Sequence, residues 1–525
     1  MKRIFSTIIF ALATLLVFSQ NTEAVYNYFN KTFTRNNDGS TDVNVSFSLT
    51  LFTHTAMNNT YGQTYVIYNP DHQSVTINNA YTIQKNGKKV PLPERALTDV
   101  LPSWAAKASD FNHLKEKVIV HTGLDLGSTI YLDYTVHSMP GFNENFDFNE
   151  QIDASSPIKK LSYKLCVPEK MKLQQAIYSP AGEIKPSEDV ADGGRRVVVY
   201  DIADIPARSM DAFQVTDLTK HYNFFCTASD FESELKGLFY GEIDPCLKTW
   251  ADKIVDSEPS AAKRYEQIRN YVANEFSVVR VPLSVSGGLR SMSDVVRGAY
   301  ITPGEQAAML NQMLKACNIE SDVLAEFDQT LPGRFRTLYN AKQFYVTQRM
   351  GEAEKTLVPS SNSGETSPSM VVGIGREIVK PDKGKELYKE YQLEVKQSDF
   401  NDKPYYMLEL PANNAGVSGW GMGLLPTKRE VDFEVPSLIE ETEVYNIKVG
   451  EGIKPAALPT LNVANPATSV SMAMSCETKD DGTIVVKRSI SVPQKVFTPQ
   501  DYEGVRNVIM NWLDNGRRYL LFVKK

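Results

Sequence analysis

The sequence predicts a multi-domain protein: an all-β, sandwich-like N-terminal domain, a central α+β core, and a β-rich C-terminal domain closed by a helix. Three observations carry this. Residues 25–228 are short alternating runs broken by turn residues, the apolar period shifts toward that of a helix from about residue 230, and strand-like runs return after 391. At 525 residues the chain has room for roughly three domains of ordinary size.

In the N-terminal stretch, "TDVNVSFSLTLF" (41–52) alternates apolar and polar residues, as a strand with one buried face does. "SVTINNAYTIQ" then leads into Asn86-Gly87, a pair that tolerates the left-handed backbone of a two-residue hairpin turn. "KVIVHTG" and "STIYLDYTV" follow, and repeated short strands with turn signals point to a sandwich or curved sheet.

The core, placed at 229–390, opens with helical spacing. In "AAKRYEQIRNYVANEF" (261–276), Tyr265, Ile268, Tyr271, Val272 and Phe276 share one stripe. After a second helix near Pro303 come strand candidates "SDVLAEF", "QFYVTQRM" and "KTLVPS", then the Ser/Gly/Pro-rich stretch 360–369. The C-terminal domain, 391–525, contains "EVDFEVP", "TEVYNIKV" and "GTIVVKRSISV", an Asp481-Gly482 turn, an amphipathic helix over 499–515 and a closing "YLLFVKK".

Residues 1–24 read as a secretory signal: Lys2 and Arg3, an apolar run over 4–18 too short for a comfortable bilayer span, and a small-residue exit ending at Ala24, with Ser19 and Gln20 as earlier cleavage positions. No cysteine accompanies it to carry a lipid. The expectation is a periplasmic or secreted protein without a transmembrane segment in its mature chain. A net charge of -7 with no strong regional block argues against nucleic acid as a partner.

Five scattered cysteines do not make a disulfide framework; Cys226 and Cys246 are the one pair left open, and the others read as small buried hydrophobes. No histidine pair has metal-ligand spacing, so no metal and no cofactor is expected. "FNENFDFNEQID" (142–153) offers oxygen ligands for calcium but lacks the order of a dedicated loop, and reads better as a solvated loop with Phe146 and Phe148 turned inward. Trp420, among glycines in "GVSGWGMG", is either a sugar-stacking platform or a loop anchor packed on its neighbours.

The densest signal is "VVRGAYITPGEQAAMLNQMLKACNIESDVLAEF" (295–327). Thr302 caps, Pro303 fits the first helical position where its missing N–H costs nothing, and Glu305 completes a capping box. Ala307, Leu310, Leu314 and Cys317 line one face, Met309, Met313 and Ala316 widen it, and Asn311, Gln312 and Lys315 are placed on a wetter side. Asn318 suits the left-handed stop.

This order resembles the transglutaminase-like family, within the papain-like cysteine protease superfamily. Its pattern L-R-x-x-x-G-D-C-x-D-x-A-x-L-L-x-x-L-L-R-A-x-G-I-x-A aligns without gaps on Ala307, Met309-Leu310, Met313-Leu314, Ala316 and Ile319. In that family a cysteine begins the helix and pairs with a histidine and an aspartate on following strands. The helix N-terminus and an imidazole lower the thiol pKa.

Here the cysteine position is Pro303, which lacks both a thiol and an N–H for an oxyanion. The histidine position is Asn340 or Ala341, and the aspartate position is Val358. All six histidines, His54 to His221, precede the core. The resemblance extends to the arrangement of flanking β-domains seen in secreted bacterial proteins called proteases or transglutaminases.

Taken together, the sequence implies a noncatalytic transglutaminase-like protein with a binding or assembly role toward peptide, protein or glycan. A cysteine-type peptidase or amidase with a rebuilt site, and a glycan-binding surface protein resting on Trp420, are the alternatives.

Overall fold

A computed structural model describes residues 22–209, 211–215, 217–350, 353–357, 369–380 and 384–524. Most of the signal stretch, Val358 and most of the 360–369 run lie outside the described residues. The chain divides into two compact units. One is drawn from the chain up to Arg208, Asp217–Ser363 and Met370–Val379; the other from Ser209–Thr216, Gly364–Ser369 and Lys380–Lys525.

In the first unit the alternating runs build an eight-stranded sheet. Its order is Glu188–Asp192, Arg195–Ile205, Ile158–Pro168, Ala24–Arg35, Thr41–Leu51, Thr129–Ser138, Gln73–Ile83 and Lys89–Pro91. The Asn86-Gly87 turn joins the last two strands, with Gly87 in the left-handed region at φ 83°. Phe47, Leu49 and Leu51 are buried along the second strand in sequence, as its alternation predicts. A four-stranded sheet lies nearby, and Phe33, Tyr163 and Phe224 interlock beneath it, Phe33 and Phe224 stacking at 5.0 Å.

The same unit then turns helical: α1 Phe231–Phe239, α2 Pro245–Val255, α3 Ala261–Asn274, α4 Leu283–Ser286, α5 Met292–Gly298 and α6 Pro303–Ala316. The side chains of Asp230, Asp244, Ser260, Ser291 and Thr302 each accept a backbone N–H at a helix start. Only α3 and α6 had been expected. Yet α1 and α2 carry clear stripes: Phe231, Leu235 and Phe239 in one, Leu247, Ala251 and Val255 in the other.

Helix α6 packs on a five-stranded sheet ordered Ala353–Leu357, Gln343–Met350, Ser321–Asp328, Ser369–Gly373 and Arg376–Lys380. Its expected wet side needs correction. Asn311 is fully buried; it donates to the Phe239 carbonyl at 3.1 Å and accepts from Ser321 at 2.9 Å. Gln312 accepts the Asp244 N–H at 3.0 Å, and Lys315 lies over the Tyr240 ring at 4.1 Å. The chain around α1 and α2 covers the polar face and satisfies it.

The second unit is a five-stranded sheet: Lys385–Val395, Ile439–Val449, Ile484–Val492, Val470–Thr478 and Leu461–Asn465. The boundary expected at 390/391 therefore falls inside a strand. Helix α7, Pro499–Leu513, buries Tyr502, Val505, Ile509 and Trp512 in this unit's core. A smaller sheet orders Tyr405–Glu409, Tyr519–Lys524 and Ile453–Pro455. Among the described residues no helix is long and apolar enough to cross a membrane.

Candidate functional site

The start of α6 is built as its sequence implies. Thr302 Oγ1 accepts the Glu305 N–H at 3.3 Å, and the Glu305 carboxylate accepts the Thr302 N–H at 2.9 Å, with Pro303 as the first helical residue. Glu305 does more than cap. Arg290 grips it with two parallel N–H donors at 2.9 and 2.8 Å and adds its own backbone N–H at 3.1 Å.

The Arg290 guanidinium lies 4.0 Å from the Tyr300 ring centroid and reaches Asp110 with its remaining arm. Burial works against its charge, but Glu305 more than offsets this and holds its pKa above the usual value. At the position that the transglutaminase-like resemblance assigns to a nucleophile, this chain has Pro303 next to the buried Arg290–Glu305 pair. At Gly304 an added Cβ would lie 3.0 Å from Leu289, so the helix start is also closely packed.

The resemblance also named Asn340 and Ala341, and both have structural roles. Asn340 donates to the Phe335 carbonyl at 2.7 Å and accepts the Thr337 N–H at 3.0 Å, ordering a short 3-10 turn; Ala341 packs against the core. Cys317 stands at the far end of α6, where burial pushes its pKa up, with Asp252 adding to the effect. A displaced nucleophile would need the reverse.

Four histidines show hydrogen-bond partners, none of them a cysteine: His121 with Thr64 at 2.9 Å, His221 with Asp153 at 2.9 Å, His137 with Asp42 at 2.7 Å and His113 with the Asp110 carbonyl at 3.1 Å. All five cysteines are free, so Cys226 and Cys246 are not paired.

A cavity of about 210 Å³ opens beside these positions, bounded by Asn143, Asn145, Glu234, Leu238, Leu283 and Tyr339 among others. Gly287 and Gly288 on its wall lead directly into Leu289 and Arg290, and Tyr339 directly precedes Asn340. Gly287 is required here: its φ is 76°, and an added Cβ would meet Phe142 at 3.0 Å. Asn143, which also lines the cavity, has left-handed backbone at φ 54°.

Polar character is concentrated on Glu234. Its two oxygens accept the Asn145 amide at 2.6 Å and the Leu338 N–H at 3.0 Å. A side-chain hydrogen bond ties it to Asp147, which also accepts the Thr227 hydroxyl. Burial, then the Glu234 charge, push the Asp147 pKa well above the ordinary carboxyl range. The Tyr339 phenol is pushed up to about 12 by burial and these carboxyls. The arrangement is a glutamate on the wall of a partly apolar pocket, backed by the buried Asp147, and suits a ligand with a hydrogen-bond-donating, cationic end and an aliphatic stem.

Asp147 comes from the stretch weighed above for calcium. Its companions are already engaged: Asp153 with His221, and Glu150 with Lys31 and Tyr163. Among the described residues no group of three or more His, Cys, Asp or Glu side chains could hold a metal. Trp420 is half-buried and packs against the second unit's core.

Sequence reasoning missed Arg290, Asp110, Asp147 and Glu234 as site residues. Inward-facing Phe146 and Phe148 imply an outward Asp147, but the left-handed turn at Phe146 breaks that alternation, and Phe146 and Asp147 are both buried.

Two family models match the chain, both of domains of unknown function: DUF3857 over residues 37–209 and DUF3858 over residues 403–522. No curated protein matches it. A crystal structure of a "putative protease" from Parabacteroides distasonis is 32% identical, covers 95% of this chain and 99% of its own, and superposes with a TM-score of 0.86. The chain belongs to that protein's family.

Other matches are distant. An M1 zinc metallopeptidase from Deinococcus radiodurans is 11% identical, with 56% of this chain and 63% of that one covered at a TM-score of 0.21. Leukotriene A4 hydrolase from Saccharomyces cerevisiae is 6% identical, with 49% and 38% covered at 0.20. Superpositions this poor carry no argument about this family's fold or chemistry.

Proposed function

We propose that this family member is an exported, noncatalytic transglutaminase-like protein that binds a ligand in the cavity beside its former catalytic helix. The observation that carries the reading is the start of α6: Pro303 stands at the thiol position, and Arg290 and Glu305 neutralise each other beside it. Asn340 and Ala341 offer no imidazole, and Val358 no carboxylate. The cavity keeps a polar end at Glu234 and apolar walls at Leu238 and Leu283, which favours a peptide presenting a lysine or arginine side chain.

To test this, the purified chain is incubated with glutamine-bearing peptides and a primary amine, and products are followed by mass spectrometry. Neither hydrolysis, deamidation nor cross-linking is expected; turnover removed by one substitution in the core overturns the noncatalytic reading. Calorimetry with short lysine peptides should show binding that Glu234→Gln weakens about tenfold, by loss of one partly buried charge contact.

A second reading has one observation in its favour. Asp147, proton-bearing beside Glu234, resembles the arrangement of a general acid, and the Parabacteroides relative is described as a protease. It requires peptide hydrolysis that Asp147→Asn removes.

Export accords with the basic, apolar opening of the chain. A cut near Ser19 or Gln20 suits the first strand better than one after Ala24. The Phe52 N–H bonds to the Glu23 carbonyl at 2.8 Å and buried Ala24 pairs with Leu51, so cleavage after Ala24 would remove part of a strand that cleavage near Ser19 or Gln20 leaves whole.

A further inference from the structure

The three-stranded sheet of the second unit has a core-facing side and an open side. Leu408, Leu410, Leu520 and Phe522 point into the core. The other side of the same strands carries Tyr405, Met407, Tyr519, Leu521 and Val523, of which the first four are 47, 52, 37 and 41% exposed. A solvent-facing sheet side ordinarily carries polar residues, and a contiguous apolar patch marks a contact surface.

The charged residues on this side say what covers it. Glu409 pairs in register with Tyr519, at one end of the central strand and on one edge of the sheet. Lys454 pairs with Val523, near the other end and on the opposite edge. Paired residues point to the same side, so both charges border the apolar patch. Among the described residues neither Glu409 nor Lys454 has an ion-pair partner. Leu521 pairs with Met407 and falls at the midpoint of the diagonal that joins the two charges.

A two-fold axis lying in the contact plane, through Leu521 and perpendicular to that diagonal, exchanges the two charges. It sets Glu409 of one subunit on Lys454 of the partner subunit, and repeats the pair on the other side. It also brings Leu521 against its own copy and crosses the strands steeply, which is one of the two ways sheets pack.

We propose that this sheet side is a self-complementary surface through which two copies of the chain associate. The patch is smaller than a standard interface side, so the dimer is weak, with a Kd on the order of 10 μM.

Sedimentation velocity on the full chain across that concentration range tests it. A monomer–dimer equilibrium is expected. Leu521→Glu, which sets two carboxylates together on the axis, should weaken it at least ~100-fold. Glu409→Lys and Lys454→Glu should each weaken it about tenfold, because symmetry makes every substitution count twice. The double variant Glu409→Lys/Lys454→Glu should restore association to within about threefold of wild type, and that rescue excludes misfolding as the cause of the single-variant losses.

A chain that stays monomeric, a dimer indifferent to Leu521→Glu, or a double variant that fails to recover would each overturn the proposal. So would a monomer that sediments with phosphatidylglycerol vesicles through this patch, which would assign the patch to a membrane surface instead.

Discussion

Glu305→Gln is the most direct test of how the α6 start is closed. The substitution keeps the side chain's size but removes its charge. The Glu305 carboxylate takes four donors: the N–H groups of Thr302 and Arg290, and two from the Arg290 guanidinium. A glutamine offers one oxygen and turns an NH2 toward donors. Arg290 would stay buried with Asp110 as its remaining anion. Removing one partner of a buried pair costs about 3–5 kcal/mol, and the surviving Asp110 contact puts this case near ~3 kcal/mol.

Because the chain has two compact units, a single melting temperature is a poor measure, and local exchange is better. Amides over the first turns of α6 should exchange roughly 100-fold faster in the variant, at about 1.4 kcal/mol per factor of ten. Arg290→Met alone should cost a similar amount, and the double variant should cost about 2 kcal/mol less than the two summed. Exchange within about threefold of wild type would refute the view that this pair closes the helix start.

Pro303→Cys places a thiol at the helix N-terminus, where the helix dipole lowers its pKa. Iodoacetamide should label it faster than Cys246 or Cys476, both pushed up to about 11 by burial, and amide turnover should still be absent; turnover would show a working triad. His121 is buried and its pKa is lowered to about 4. Between pH 6.5 and 4 the unfolded chain therefore binds the extra proton, stability rises with pH in that window, and up to about 3 kcal/mol is lost on acidification. His121→Gln should flatten that part of the urea-midpoint profile; an unchanged profile would contradict it. Asp147 has the opposite sign: its raised pKa makes the folded chain hold a proton the unfolded chain has released, so stability is lost as pH rises through the folded pKa. The loss accrues between about pH 4 and pH 8, so Asp147→Asn should flatten the stability profile over that window; an unchanged slope there would count against the raised pKa.

How far the sequence could be read depended on the range of the interaction that built each part. The hairpin at Asn86-Gly87 and the whole start of α6 rest on residues within a few positions of one another, and their spacing states their geometry. Helices α1 and α2 were legible in principle. Asp230 and Asp244 cap them and both follow the shift of period near residue 230, but their stripes are shorter than those of α3 and α6. Asn311 illustrates the other limit: its polarity implied solvent, whereas the Phe239 carbonyl and Ser321 supply its hydrogen bonds inside the protein.

The pairs that define the site were not legible, because each joins the β-rich stretch to the helical one. Arg290 meets Asp110, and Glu234 meets Asp147. These contacts also explain why both stretches lie in one compact unit although composition suggested two domains. A helical core without the strands would leave Arg290 short of one anion and the Glu234 wall open to water. The β-rich stretch alone would leave Asp147 without the carboxylate that helps hold its proton. In a working thiol enzyme the ground beside the helix start must stay open to substrate. In this chain Arg290, held by Glu305 on one side and by Asp110 on the other, ties the start of α6 to the 3-10 turn Ser109–Phe111 of the N-terminal stretch.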